Sequence, residues 1–255
     1  FFFFVFIEFV LRVIGFEPAL SYKSYTIPSW MEEMDPVVLE KYQQFVAGQG
    51  FVNEDAYAYE PDLRYGYLLK PKHSTKVQNY SSALVVDKLP PWTIISNDEG
   101  FRVSSHEVTK KEGRTLHVLG DSSSFGWGVE YEKSYPSLLT EKLSSIAPFN
   151  LRNLSLPGFS SFQGKLLWQE FGDVQNGDWV IISFGWNDSY SSLQTDRRQF
   201  DLRNSILGKI NWKLTHLLLF RWMRTLILPK RTFDYKEVAR VPLTQYRRNL
   251  EALVE

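Results

Sequence analysis

From residue 115 onward, short apolar runs alternate with helical patterns of ten or more residues. That alternation predicts a parallel sheet covered by crossover helices. Three runs predict strands: 115–119, 149–156, and 179–184, where Trp179, Val180, Ile181 and Ile182 follow a Gly177-Asp178 turn. The last run is the most apolar and is expected to be the central strand. Between them, Leu138, Leu139, Leu143 and Ile146 predict a helix over 135–146, and a second helix is predicted over 162–171.

Upstream the pattern differs. Asp35-Pro36 opens a helical run that closes near Gly48 and Gly50, with Pro in the first turn where its missing N–H costs nothing. Residues 56–114 carry Pro61, Pro71, Pro90 and Pro91, aromatics, and short β-branched stretches such as Ala83-Leu84-Val85-Val86, which predict hairpins and loops. The division expected is 1–20, an N-terminal membrane anchor or amphipathic helix; 21–114, a helix with an irregular, β-rich region; and 115–255, the α/β domain.

The first sixteen residues are apolar apart from Glu8, Gly15 and Arg12. A spanning helix needs about 20 apolar residues, so the run reads either as the end of a membrane anchor or as an amphipathic helix docked on the domain. Residues 190–240 hold a helical insertion rich in Leu, Trp and Arg, including Ile206, Ile210, Leu214, Leu217, Leu218, Phe220 and Trp222. A basic, aromatic helix of this kind can lie in a membrane interface; packing against the domain is the commoner meaning and the expectation here.

Composition narrows the chemistry. At 255 residues, 44% hydrophobic and 23% charged, the chain can build one large core. Its formal net charge of zero gives no basic field for nucleic acid. The absence of cysteine removes thiolate nucleophiles, disulfides and Cys-ligated zinc. Catalysis, if any, must come from Ser, Asp, Glu, His or backbone groups.

Each predicted strand ends in a polar or Gly-rich turn: Gly120-Asp121-Ser122 after the first, Pro157-Gly158 after the second, Gly185-Trp186-Asn187-Asp188 after the third. In open α/β sheets ligands bind beyond the carboxyl ends of the strands. All three turns should therefore border one cleft.

These three blocks, in this order, resemble those of the SGNH (GDSL-like) serine ester hydrolases. The resemblance covers 115–188; softer likenesses at Tyr65-Gly66-Tyr67, Gly100-Phe101-Arg102 and Tyr246-x-x-Asn249-Leu250 point to membrane-anchored bacterial members. It implies a three-layer α/β/α, flavodoxin-like fold with a central parallel sheet, incomplete at the C-terminus. It also implies Ser122 as nucleophile, with the Ser122 and Gly158 N–H groups and the Asn187 amide forming an oxyanion hole.

The residue types suit those roles. A Ser on a strand-to-helix turn is exposed to substrate, Gly lets the backbone approach closely, and an Asn amide donates without carrying charge. Read alone, Ser122 could be a turn Ser, Gly158 a tight-turn Gly, and Asn187 a helix cap; Asp121 and Asp188 are expected to make structural hydrogen bonds. Trp127 and Trp186, inside the first and third blocks, are expected to border the cleft and bind substrate. Core packing is expected of Trp168, Trp179, Trp212 and Trp222.

The family's base lies in an Asp-x-x-His block. None of His73, His106, His117 and His216 has Asp three residues before it, so the Asp and His are expected beyond Glu255. His117 is expected to pack beside the sheet, and His73, His106 and His216 to be solvated. The resemblance implies an esterase acting on a small-molecule or glycan ester, such as a glycan O-deacetylase. An O-acyltransferase on envelope carbohydrate and a non-catalytic glycan-binding protein are the alternatives. No cofactor or metal is required. A membrane-anchored domain in the periplasm or outside the cell is the expected location.

Overall fold

The computed structural model describes residues 2–16, 58–77, 91–105, 112–227 and 238–254. The helix expected after Asp35, the 83–86 run and His106 lie outside them.

Three parallel strands carry the α/β region: β6 (Arg114–Gly120), β7 (Phe149–Asn153) and β8 (Trp179–Ser183), in the order β7-β6-β8. The fold is α/β, with helices on both faces of this sheet. Alternation along β6 shows why. Leu116 and Val118 point to one face, where they meet Leu139 and Leu143 of α3 (Tyr135–Ser144). His117 and Leu119 point to the other, where α4 (Ser161–Phe171) covers the sheet with Phe162, Leu166 and Leu167. Burial on both faces makes β6 largely apolar from Leu116 to Gly120, with His117 the polar exception.

The order of the strands corrects one expectation. β6 is central, and β8 lies at an edge of the described sheet, with Trp179 48% exposed. Apolarity reports what covers a strand's faces and says nothing of which strand lies beside it. Trp222 is likewise exposed, whereas Trp168 is half-buried against the core.

The first α/β core also takes in the region upstream. Strands β1 (Tyr59–Asp62) and β2 (Gly66–Leu69) pair as an antiparallel hairpin; β3 (Ser74–Val77), β4 (Trp92–Ser96) and β5 (Arg102–Val103) form a second antiparallel sheet. Tyr65, Leu69, Trp92, Ile94 and Phe101 from these strands pack in one cluster with Leu119, Phe125, Leu156 and Phe159.

After β8 the chain forms α5 (Trp186–Ser189), β9 (Ser191–Ser192), α6 (Asp196–Asn204), α7 (Ile206–Leu214) and α8 (Leu218–Ile227). It returns through β10 (Val238–Ala239), which pairs with β9, into α9 (Leu243–Val254), which packs on α4. Residues 196–227 are mainly helical. Their apolar stripe does not turn wholly inward: Leu219 is buried, but Ile206, Ile210, Leu217 and Trp222 are exposed. Periodicity fixed the stripe without fixing the medium it faces. The N-terminal run forms helix α1 (Phe2–Val13), packed against α8. No described helix is long and apolar enough to cross a membrane.

Candidate active site at the strand ends

Gly120 closes β6 opposite Ser183, and its carbonyl accepts the Leu156 N–H at 3.2 Å. The three strand ends are thus in register, and the turns carrying Ser122, Gly158 and Asn187 leave the same edge of the sheet.

Ser122 opens the one-turn helix α2 (Ser122–Phe125), half-buried. Asp121 caps it by accepting the Ser123 N–H at 3.0 Å, as expected of a carboxylate at this position. The other end is tied down by the buried Arg102, which donates to the carbonyls of Phe125 (3.0 Å), Gly126 (2.8 Å), Thr93 (2.9 Å) and Val129 (2.7 Å). Asn153 adds a bond to the Ser124 carbonyl at 2.8 Å. The turn that carries Ser122 is therefore braced from β4, β5 and β7.

Gly158 has φ +77°, and a Cβ there would lie 2.6 Å from the Tyr67 hydroxyl oxygen. Both the conformation and the space demand glycine. The carbonyls of the turn point inward: Tyr67 donates to Pro157 O and Arg240 Nη1 to Gly158 O at 2.8 Å. Burial pushes the Tyr67 hydroxyl up to about 12 against the lowering effect of Arg240, so it remains a donor. Among the described residues, the N–H of Ser122, its hydroxyl and the N–H of Gly158 have no hydrogen-bond partner.

Asn187, buried in α5, donates from Nδ2 to Phe159 O at 3.0 Å. An amide nitrogen carries two donors; the Phe159 bond occupies one and fixes the plane of the other. Gly185, at φ +145° before it, makes the sharp entry, and Tyr246 donates to the neighbouring Phe184 carbonyl at 2.9 Å. Asp188 lies behind the site, accepting from the Ser161 N–H at 3.0 Å and from the Ser161 hydroxyl. Burial raises its carboxyl above the ordinary aspartate range despite those bonds.

The two tryptophans differ. Trp127 packs edge-on against Trp92, with ring centroids 5.1 Å apart. Trp186 is 67% exposed and donates from Nε1 to the Tyr190 hydroxyl at 2.7 Å.

The largest feature missed in sequence is the network behind Gly158. Arg240 also donates to Asp196 (Nε to Oδ1 3.1 Å, Nη2 to Oδ2 2.9 Å) and to Gln163 Oε1 at 2.9 Å, while Ser160 donates to Asp196 at 2.6 Å. Ser160-x-x-Gln163 has capping-box spacing, the one local signal available. Nothing in sequence announced Arg240, because it reaches Gly158 across 82 residues.

No described histidine bonds to Ser122. His117 is buried between Trp168 and Asp178, the latter 3.3 Å away. It stands five residues back along the chain from Ser122, about 16 Å if extended. His73 is half-buried rather than solvated, its main-chain N–H bonded to Ser96; His216 is exposed beside α8. Among the described residues no group of His, Asp or Glu could hold a metal ion.

Residues 118–254 match the sequence model of the GDSL-like Lipase/Acylhydrolase family. The chain belongs to this family. The GDSL-like match spans all three strand-end turns. A curated relative, the thioesterase 1/protease 1/lysophospholipase L1 of Escherichia coli K12, is 30% identical over 89 residues, 35% of this chain and 42% of that protein. The counterpart from E. coli O6:H1 matches equally. The chain thus spans about two fifths of the length of these relatives. Among solved structures, the SGNH-hydrolase family esterase AlinE4 is 15% identical with a TM-score of 0.28, over 57% of this chain and 95% of that one. TesA is 19% identical with a TM-score of 0.26, over 55% and 68%.

Proposed function

We propose that the protein is a serine ester hydrolase that works through an acyl-enzyme on Ser122. The observation that carries the reading is the register of the three strand ends, which brings unpartnered Ser122 and Gly158 N–H groups to the sheet edge that also carries the Asn187 amide.

In this mechanism the Ser122 oxygen attacks the ester carbonyl carbon while a base takes the hydroxyl proton, and the carbonyl electrons move onto oxygen. Donors aimed at that oxyanion stabilise it without reorganising, and each is worth about 10²–10³ in rate. Collapse expels the alcohol, which takes the proton from the base; water then repeats the sequence and frees the acid. The braced turns suit this role, because a donor that must be fetched into place contributes less than one already there.

A glycan O-acyl ester is the substrate reading we favour. The exposed Trp186 indole beside Asn187 supports it, since a flat ring can hold a sugar face. Acetate release from O-acetylated glycan by the full gene product, compared with Ser122→Ala, tests the proposal. Release that depends on Ser122 supports both parts. Ser122-dependent cleavage of 4-nitrophenyl acetate without glycan deacetylation retains the esterase and rejects the glycan.

A further inference from the structure

Helix α1 has its polarity reversed for an element facing water. Its only charged residues, Glu8 and Arg12, serve the contact with the insertion. The Glu8 carboxylate accepts the N–H groups of Leu218 (3.1 Å) and Leu219 (2.9 Å), which open α8, and Arg12 donates to the His216 carbonyl at 2.9 Å. Ile7, Val10 and Leu11 are half-buried alongside. Phe2, Phe6, Phe9 and Val13, spaced four, three and four apart, form a stripe with exposures of 87, 64, 63 and 68%. The insertion continues the theme: Ile206, Leu207, Leu217 and Met223 are exposed too.

Water is a poor medium for that surface. Contiguous apolar patches beyond a few hundred Å² are uncommon on soluble monomers, and each phenylalanine left in water forgoes a large burial gain. Of the two charged side chains, Glu8 is 15% exposed and makes its contacts on the inner side, whereas Arg12, 56% exposed, reaches along the rim of the contact. Charge selects the occupant. Lys209 and Lys213 of α7 are exposed and form no ion pair among the described residues, and cationic side chains at an apolar surface favour anionic lipid headgroups. The twelve residues of α1 span about 18 Å as a helix, long enough to sink into one leaflet.

We infer that α1 and the insertion helix it caps form a docking surface for an anionic lipid bilayer, with the phenylalanine stripe among the acyl chains and Lys209 and Lys213 at the headgroups. The surface is independent of the ester chemistry and would stand if that reading failed.

Co-sedimentation of the 255-residue chain with phosphatidylcholine vesicles, with and without phosphatidylglycerol, tests it. The chain should bind, more tightly when phosphatidylglycerol is present. The exposed-site triple variant Phe2→Ser/Phe6→Ser/Phe9→Ser should bind at least about a hundredfold more weakly with an unchanged melting temperature. Lys209→Glu/Lys213→Glu should lose about tenfold on the anionic vesicles only. Brominated lipid should quench the tryptophan fluorescence of the unaltered chain, a readout that needs no variant to fold. Absent binding and quenching, or equal binding by the triple variant, would overturn the inference. A dimer in light scattering that the triple variant abolishes, without vesicle binding, would overturn it in favour of a second copy of the chain.

Discussion

Arg240 Nη1 lies 2.8 Å from the carbonyl oxygen of Gly158, so the turn whose Gly158 N–H has no partner among the described residues is held through its carbonyl by a residue arriving from the far side of the helical insertion. The same guanidinium engages Asp196 and Gln163, making the exit of the insertion part of the site's support. Arg240→Ala in the full gene product is expected to lower kcat on a 4-nitrophenyl ester by up to about 10²-fold with KM within about twofold, as when a reacting geometry slips by an ångström. Arg240→Lys should recover only part, since an ammonium cannot span the three partners. A fall in the urea midpoint with kcat preserved would show that Arg240 is purely structural.

Gly158→Ala meets two separate obstacles, the positive φ and the Tyr67 hydroxyl oxygen 2.6 Å from the new Cβ. The single variant should lose about 1–3 kcal/mol of stability. Tyr67→Phe removes that oxygen, leaving the ring carbon Cζ at an ordinary 3.9 Å. The double variant should therefore be more stable than the sum of the two singles predicts, by about 0.5 kcal/mol or more. Strict additivity in chemical denaturation would refute the contact.

Asn187 spends one amide N–H on the Phe159 carbonyl, 3.0 Å away, and the proposed oxyanion hole uses the other. Asn187→Ala should cost about 10²–10³ in kcat, and Asn187→Asp, which keeps the shape but loses the donors, should be no better. Retention of full rate by either variant would remove Asn187 from the oxyanion hole.

Burial holds the His117 ring below its ordinary pKa of 6.5, outweighing the raising effect of Asp178. Its Nδ1 is buried without a partner, so protonation would strand a donor. The folded chain consequently binds fewer protons at this site than the unfolded one below pH 6.5, and stability should fall as pH drops through and beneath that value. His117→Gln should flatten the melting temperature between about pH 7 and about 5.5. An unchanged slope would place the titration elsewhere.

The β6 run was legible in sequence because a strand covered on both faces is largely apolar, the β8 run because it is apolar although half exposed, and the turns because each carries its own residue signal. The helical insertion was legible from its period. Strand order was not: the most apolar run became an edge strand of the described sheet, β8, since nothing in Trp179–Ser183 records its neighbours. Arg102 stood in a flank that could be matched but not interpreted, because three of its four carbonyl partners lie in the 125–129 turn, more than twenty residues along the chain, and the fourth is Thr93. Arg240 and Asp196 were silent for the same reason, and Tyr67, like Arg102, stood in a flank that carried no hint of its partner. Long-range polar contacts have no period.

Everything proposed for the strand-end cleft depends on Ser122 being the nucleophile of a preformed acyl-transfer site. Fluorophosphonate labelling of the full gene product, followed by peptide mass mapping, puts that assignment to the test. A single adduct is expected on the peptide containing Ser122, abolished in Ser122→Ala and strongly slowed in Asn187→Ala. Labelling that persists in Ser122→Ala, or that falls on another serine, would contradict it.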